Sequence, residues 1–202
     1  MALPVQREQR GIRASKLFTF TVLLLAALAL MSVFASSPLA AAREETSDEA
    51  STAADDTTLY LTVPRLGIYN HTVRNERSAH ALDLGAIKLP NTDFPWQEGD
   101  TNTYIACHRL GWPGYESYHQ CLNLPSMKKG DKVILKDSEG KIYKYRASGA
   151  VIASPEEAAK VTKPLKGRQI VSLQTCIEAP GDFTTLGPNW STRYIVRADR
   201  VG

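Results

Sequence analysis

Residues 17–35, LFTFTVLLLAALALMSVFA, carry no charge. As a helix this run is roughly 28 Å long, close to the hydrocarbon thickness of a bilayer. A segment this apolar is set apart from any globular fold, so the packed body must be built from the residues after it. Arg7, Arg10, Arg13 and Lys16 precede it, and Glu44, Glu45, Asp48, Glu49, Asp55 and Asp56 come after it. That asymmetry keeps residues 1–16 in the cytoplasm and sends the body to the extracellular face. A retained single-pass anchor over 17–35 is expected. Small-residue sites at Val33-Phe34-Ala35 and Ala40-Ala41-Ala42 leave a cleaved signal peptide open. Residues 36–57 are Ala, Ser, Thr and acids without apolar periodicity, and read as a flexible acidic linker.

From residue 58 the pattern changes to short strands. Leu59, Leu61 and Val63 alternate with polar neighbours until Pro64 ends the run. Residues 102–108, 132–136, 141–148, 169–175 and 193–201 read as further strands, with DSEG at 137–140 as a hairpin turn. Helical signal is scarce. Residues 118–128 and 155–162 could each hold a short helix, the second started by Ser154-Pro155 with Glu156 and Glu157 in its first turn. Many short strands with Gly/Pro turns point to a mainly β domain, a small barrel or sandwich, over 58–202. A formal charge of +3 without a dense Lys/Arg tract argues against nucleic acid as a partner.

Three cysteines, Cys107, Cys121 and Cys176, leave at least one thiol unpaired within the chain. Exported thiols tend to oxidise, so a lone one outside the cytoplasm points to chemistry. Cys176 ends a strand, where the backbone is held and the tip is open. His108 also ends a strand and is followed by Arg109 and the Gly/Pro-rich LGWPG. A thiolate nucleophile with an imidazole acid/base suits acyl transfer. Arg193 opens the last strand, with Arg197 on the same face, and a guanidinium fork can hold the developing oxyanion. From spacing alone, a core thiol, a structural histidine and a solvated arginine face remain open. His71 and His80 fall in loop-like polar sequence, and His119 reads as a surface or packing residue.

The ordered set resembles the sortases, membrane-anchored cysteine transpeptidases of Gram-positive bacteria. Ser172-Leu173-Gln174-Thr175-Cys176 is similar to the family's T-L-x-T-C. Asn102-Thr103-Tyr104-Ile105-Ala106-Cys107-His108-Arg109 is similar to its N-x-x-I-x-G-H-R. Lys129-Gly130-Asp131 resembles its G-D step, and Arg193-Tyr194-Ile195-Val196 its final strand. The resemblance covers roughly residues 59–202 and implies a closed eight-stranded β-barrel with short helices. It implies Cys176 as nucleophile, His108 as acid/base and Arg193 as oxyanion and substrate ligand, with Leu173 and Thr175 beside the substrate. It implies no cofactor and no metal. Substrates would be secreted proteins with an L-P-x-T-G or L-A-x-T-G C-terminal signal, cut between Thr and Gly. The acceptor would be a peptidoglycan-precursor amine or a pilin lysine. The single anchor and general pattern resemble class E, and no lid-like insertion is recognisable, which favours anchoring over polymerisation.

Two positions depart from the pattern. Ser172 replaces Thr, and Cys107 replaces the Gly before His108. Strand alternation turns Cys107 away from the site. It is expected to be a small buried residue, with a disulfide to Cys121 as the alternative. Cys107, His108, His119 and Cys121 match no common zinc spacing. The rivals are a non-enzymatic anchored β-domain binding envelope components, or another cysteine-dependent cell-wall transpeptidase. The S-x-G-C context of the L,D-transpeptidases is absent.

Overall fold

The computed structural model describes residues 56–202; the expected membrane segment and most of the linker lie outside them. Eight strands close into a barrel in the order β1-β2-β3-β4-β7-β8-β6-β5. They are β1 (Leu59–Val63), β2 (Ile68–Asn75), β3 (Ala86–Lys88), β4 (Thr101–Ala106), β5 (Lys132–Asp137), β6 (Ile142–Ala153), β7 (Gln169–Ile177) and β8 (Thr192–Arg200). Closure leaves no free sheet edge. Two pairs are parallel, β2 with β3 and β4 with β7; the rest are antiparallel. A parallel pair needs a crossover. Helix α1 (Ala79–Leu84) lies in the first, and the β5–β6 hairpin and helix α2 (Pro155–Val161) lie in the second.

Period-2 alternation sorts the side chains. Leu59, Leu61, Val63, Ile105, Val133, Leu135, Val171, Leu173, Val196 and Ala198 fill the barrel. Tyr104, Ala153, Val161 and Ile195 form a second cluster that includes part of α2, and Ala81, Ile87 and Ala106 a third that includes part of α1. The β5–β6 turn needs Gly140 at φ +88°, and Asp137 secures it by accepting from Lys141 N (2.8 Å) and Tyr143 Oη (2.7 Å). Helix α2 starts as its sequence signalled. Ser154 Oγ accepts from Glu157 N (3.2 Å), and Glu157 Oε2 accepts from Ser154 N (3.0 Å).

Three expectations change. His71 and His80 are not in loops but in β2 and α1. The helix expected over 118–128 is a series of turns ending in a 3-10 turn at Leu124–Ser126, because His119 takes a left-handed φ of 55° and Pro125 comes soon after. Strand β4 ends at Ala106, so Cys107 and His108 lie just beyond the ladder. Among the described residues no helix is long and apolar enough to cross a membrane.

Candidate active site

Cys176 is the penultimate residue of β7 and pairs directly with Arg193 on β8. Alternation puts both on the outer face of the barrel, with Gln174 and Ile195 beside them. Burial pushes the Cys176 thiol up, and the Arg193 charge pulls against it. The protonated thiol therefore dominates at neutral pH, and only loss of that proton would make the sulfur a nucleophile. Arg193 donates Nη1–H to the Trp190 carbonyl (2.8 Å), which anchors one arm of the guanidinium to the β7–β8 loop. Glu178 pins the same loop by accepting from Asn189 N (3.0 Å) and Trp190 N (3.2 Å).

His108 arrives from β4. In the parallel β4–β7 ladder Ala106 pairs with Gln174, and Cys107 N–H donates to the Gln174 carbonyl (3.0 Å). Cys176 follows Gln174 by two residues within β7, and His108 follows Ala106 by two residues, past the end of β4. The His108 ring meets Asp83 of α1, Nε2 to Oδ1, at 3.0 Å. The His108 carbonyl accepts from Cys121 N–H (3.1 Å). That contact brings the two cysteines to a Cα separation of 5.9 Å, and Cys107 and Cys121 form a disulfide. The expected unpaired residue at Cys107 is thus corrected. It is buried and turned into the barrel as alternation required, but it is bonded. Cys176 is the free cysteine.

A groove of about 630 Å³ runs along this face. Arg193, Gln174, Tyr104 and Ala106 line its barrel side, with Leu82 of α1 and Ala158 of α2 among its other walls. It reaches the neighbours of Cys176 and stops short of the sulfur. Tyr104 Oη donates to Gln174 Oε1 (2.7 Å), closing the groove floor. Burial pushes the Tyr104 hydroxyl well above its ordinary range, so it stays a donor.

Leu173 and Thr175 do not line the groove. Both have no exposed surface. Leu173 packs in the barrel, and Thr175 Oγ1 donates to the Cys107 carbonyl (3.2 Å). A one-residue step along a strand changes face, so the groove residue of β7 is Gln174, between them. Arg197 shares the outer face with Arg193, as expected, but sits further along β8 opposite Ser172 and outside the groove lining. Arg109, after His108, is buried and donates Nη2–H to the Phe183 carbonyl, tying the β7–β8 loop to the histidine's own segment. Asp83, Tyr104 and Gln174 were not singled out from sequence. The last two were reachable, since they lie an even number of residues from His108 and Cys176. Asp83 stands on a helix that the sequence did not announce.

The sortase domain family model matches residues 61–201. The chain belongs to the sortase family. Among solved structures it is similar to sortase C-1 from Actinomyces oris, at 24% identity and TM-score 0.59 over 71% of this chain and 73% of that one. It is similar to a lid mutant of sortase A from Corynebacterium diphtheriae at 21% identity and TM-score 0.58, over 71% and 69%. It also resembles Streptococcus agalactiae sortase C1 in complex with MTSET, at 20% identity and TM-score 0.59, over 72% and 70%. Likenesses this distant speak for the fold. A comparison with curated proteins finds no match.

Proposed function

We propose that this sortase is a membrane-anchored cysteine transpeptidase that cuts an L-P-x-T-G or L-A-x-T-G C-terminal signal between Thr and Gly. The supporting observation is the direct pairing of Cys176 with Arg193, which lines the groove, while His108 follows two residues after Ala106, the partner of Gln174 in the adjoining ladder. As substrate binds, the Cys176 proton passes to His108. The sulfur attacks the Thr carbonyl carbon, and the resulting oxyanion is held by Arg193. His108 returns the proton to the departing Gly nitrogen as the C–N bond breaks, leaving a thioester. An acceptor amine then attacks, loses its proton to His108, and restores the thiol.

The acceptor is a peptidoglycan-precursor amine for anchoring, or a pilin lysine for polymerisation. The body sits on the extracellular face, tethered by residues 17–35. The Cys107–Cys121 disulfide supports an oxidising compartment. Incubating the full chain with each peptide should release the Gly-bearing fragment, and an added amine should appear joined to the Thr-ended product. No release from either peptide would overturn the reading.

A further inference from the structure

Asp83 has no part in the steps of the transfer, yet three contacts converge on it. Its Oδ1 lies 3.0 Å from His108 Nε2 and 2.9 Å from Trp112 Nε1. Its carbonyl accepts from Ser117 Oγ at 2.5 Å. Helix α1 has six residues, too few to hold itself. Ser78 caps its start by accepting from Ala81 N (3.0 Å), and Ala81 and Leu82 pack against the barrel. The 110–119 loop closes over its end. Gly111 makes that possible, because a Cβ there, at φ +62°, would fall 2.0 Å from the Ser117 carbonyl oxygen. Trp112 is otherwise exposed, so its indole N–H is held on Asp83 without a buried ring to place it.

The carboxyl of Asp83 is held below its usual range, first by the Trp112 hydrogen bond and then by the bond and charge of His108, against some desolvation. It is an anion at neutral pH and can only accept. An indole N–H can only donate, so Trp112 fills its own place on the oxygen. The remaining partner, His108 Nε2, must then carry a proton. The neutral ring is thereby the Nε2–H tautomer, with its lone pair on Nδ1.

We propose that Asp83 is the positioning residue for His108, fixing its tautomer and aim so that all proton traffic of the transfer runs through Nδ1. The assignment rests on the transpeptidase reading for its kinetic consequence, but not for the tautomer. The carboxylate also stabilises the imidazolium that forms when the Cys176 proton arrives. His80, on the same helix, is the other titratable group that acts on Asp83, and Arg193 lies beside Cys176 on the neighbouring strands. Because both side chains are about a third exposed, 34% for His108 and 40% for Asp83, water screens the pair and the effect is smaller than in a buried triad.

Two measurements test this. Nitrogen NMR of the histidine rings in the full-length wild type should show the neutral His108 ring as the Nε2–H tautomer; the Nδ1–H form would overturn the proposal, whatever the activity. In peptide cleavage, Asp83→Asn should lower kcat about tenfold with KM little changed. In Asp83→Asn the ring should no longer be held to one tautomer, because an amide can either donate to Nε2 or accept from it. Trp112→Phe keeps the carboxylate on Nε2 and should leave the tautomer and kcat near wild type. An unchanged kcat in a folded Asp83→Asn would sink the proposal. If the wild type cleaves neither peptide, the transpeptidase reading fails, and the NMR tautomer still decides this one.

Discussion

The two halves of the site are held in place by different forces. Cys176 and Arg193 sit inside an antiparallel ladder, where backbone pairing from Ile170 to Ile177 sets their register. His108 stands beyond the end of β4 and is braced by side-chain devices: a disulfide one residue before it, the Cys121 N–H on its carbonyl, and Asp83 on its ring. A ladder is sensitive to little short of unfolding. A braced loop end answers to reduction, to pH and to single substitutions. The Cys176–Arg193 half should therefore persist under conditions that disturb the His108 half.

The largest effect belongs to the sulfur itself. Cys176→Ala should abolish cleavage and leave the thermal melt close to wild type, because it removes one partly buried atom at a strand end. Residual turnover in that variant would move the chemistry to another group. Next comes the brace. Removing the disulfide by Cys107→Ser with Cys121→Ser opens a link across a sequence separation of 14. For a loop of that size the loss should be roughly 3 kcal/mol of stability, read by denaturant melts. In the folded fraction, turnover should fall while alkylation of Cys176 by iodoacetamide proceeds at a rate within about twofold of wild type. An equal fall in both would mean that the two halves are not held independently.

Within the ladder half, Arg193 and Arg197 separate position from charge. Arg193→Lys keeps the charge and loses the planar fork, and Arg193→Ala loses both. Each should lower kcat at least about tenfold, given that one oxyanion donor is commonly worth about 3 kcal/mol. Arg197→Ala, outside the groove, should cost much less turnover. The reverse order would shift the oxyanion role along β8. The smallest effect is expected at the seam between the halves. Thr175→Val removes the hydroxyl bond to the Cys107 carbonyl and should cost about 1 kcal/mol of stability, with KM for the peptide unchanged. A raised KM would restore Thr175 to the substrate side.

The same division describes what the sequence could tell. Strands β7 and β8 were readable because their inner residues are mostly apolar, Val171, Leu173 and Ile177 on one and Tyr194, Val196 and Ala198 on the other, and because both carry motif residues. The closed barrel and its helix α2 came from the resemblance and from the Ser154 cap. Strand β2, IYNHTVRN, was missed because only Ile68 and Val73 are fully buried along it, so its alternation is broken. Strand β3 has three residues, too few to show a period. Helix α1 has one fully buried residue, Ala81. Asp83 therefore had no local signal, since its meaning lies in a helix and a loop that meet only in the fold. The disulfide was undecided for a similar reason. Its closure depends on the 109–120 segment folding back to bring Cys121 N–H to His108, through a left-handed His119. Leu173 and Thr175 were assigned to the substrate from their place in the motif, where period-2 geometry sends them into the barrel.

The most direct test of the account is the mass of the protein after a brief, acid-quenched incubation with the L-P-x-T-G or L-A-x-T-G peptide. A thioester should add the mass of the peptide up to its Thr, less one water, and fragmentation should place it on Cys176 with the Cys107–Cys121 disulfide intact. An adduct mapped to any other residue, or peptide cleavage that proceeds fully in Cys176→Ala, would contradict it.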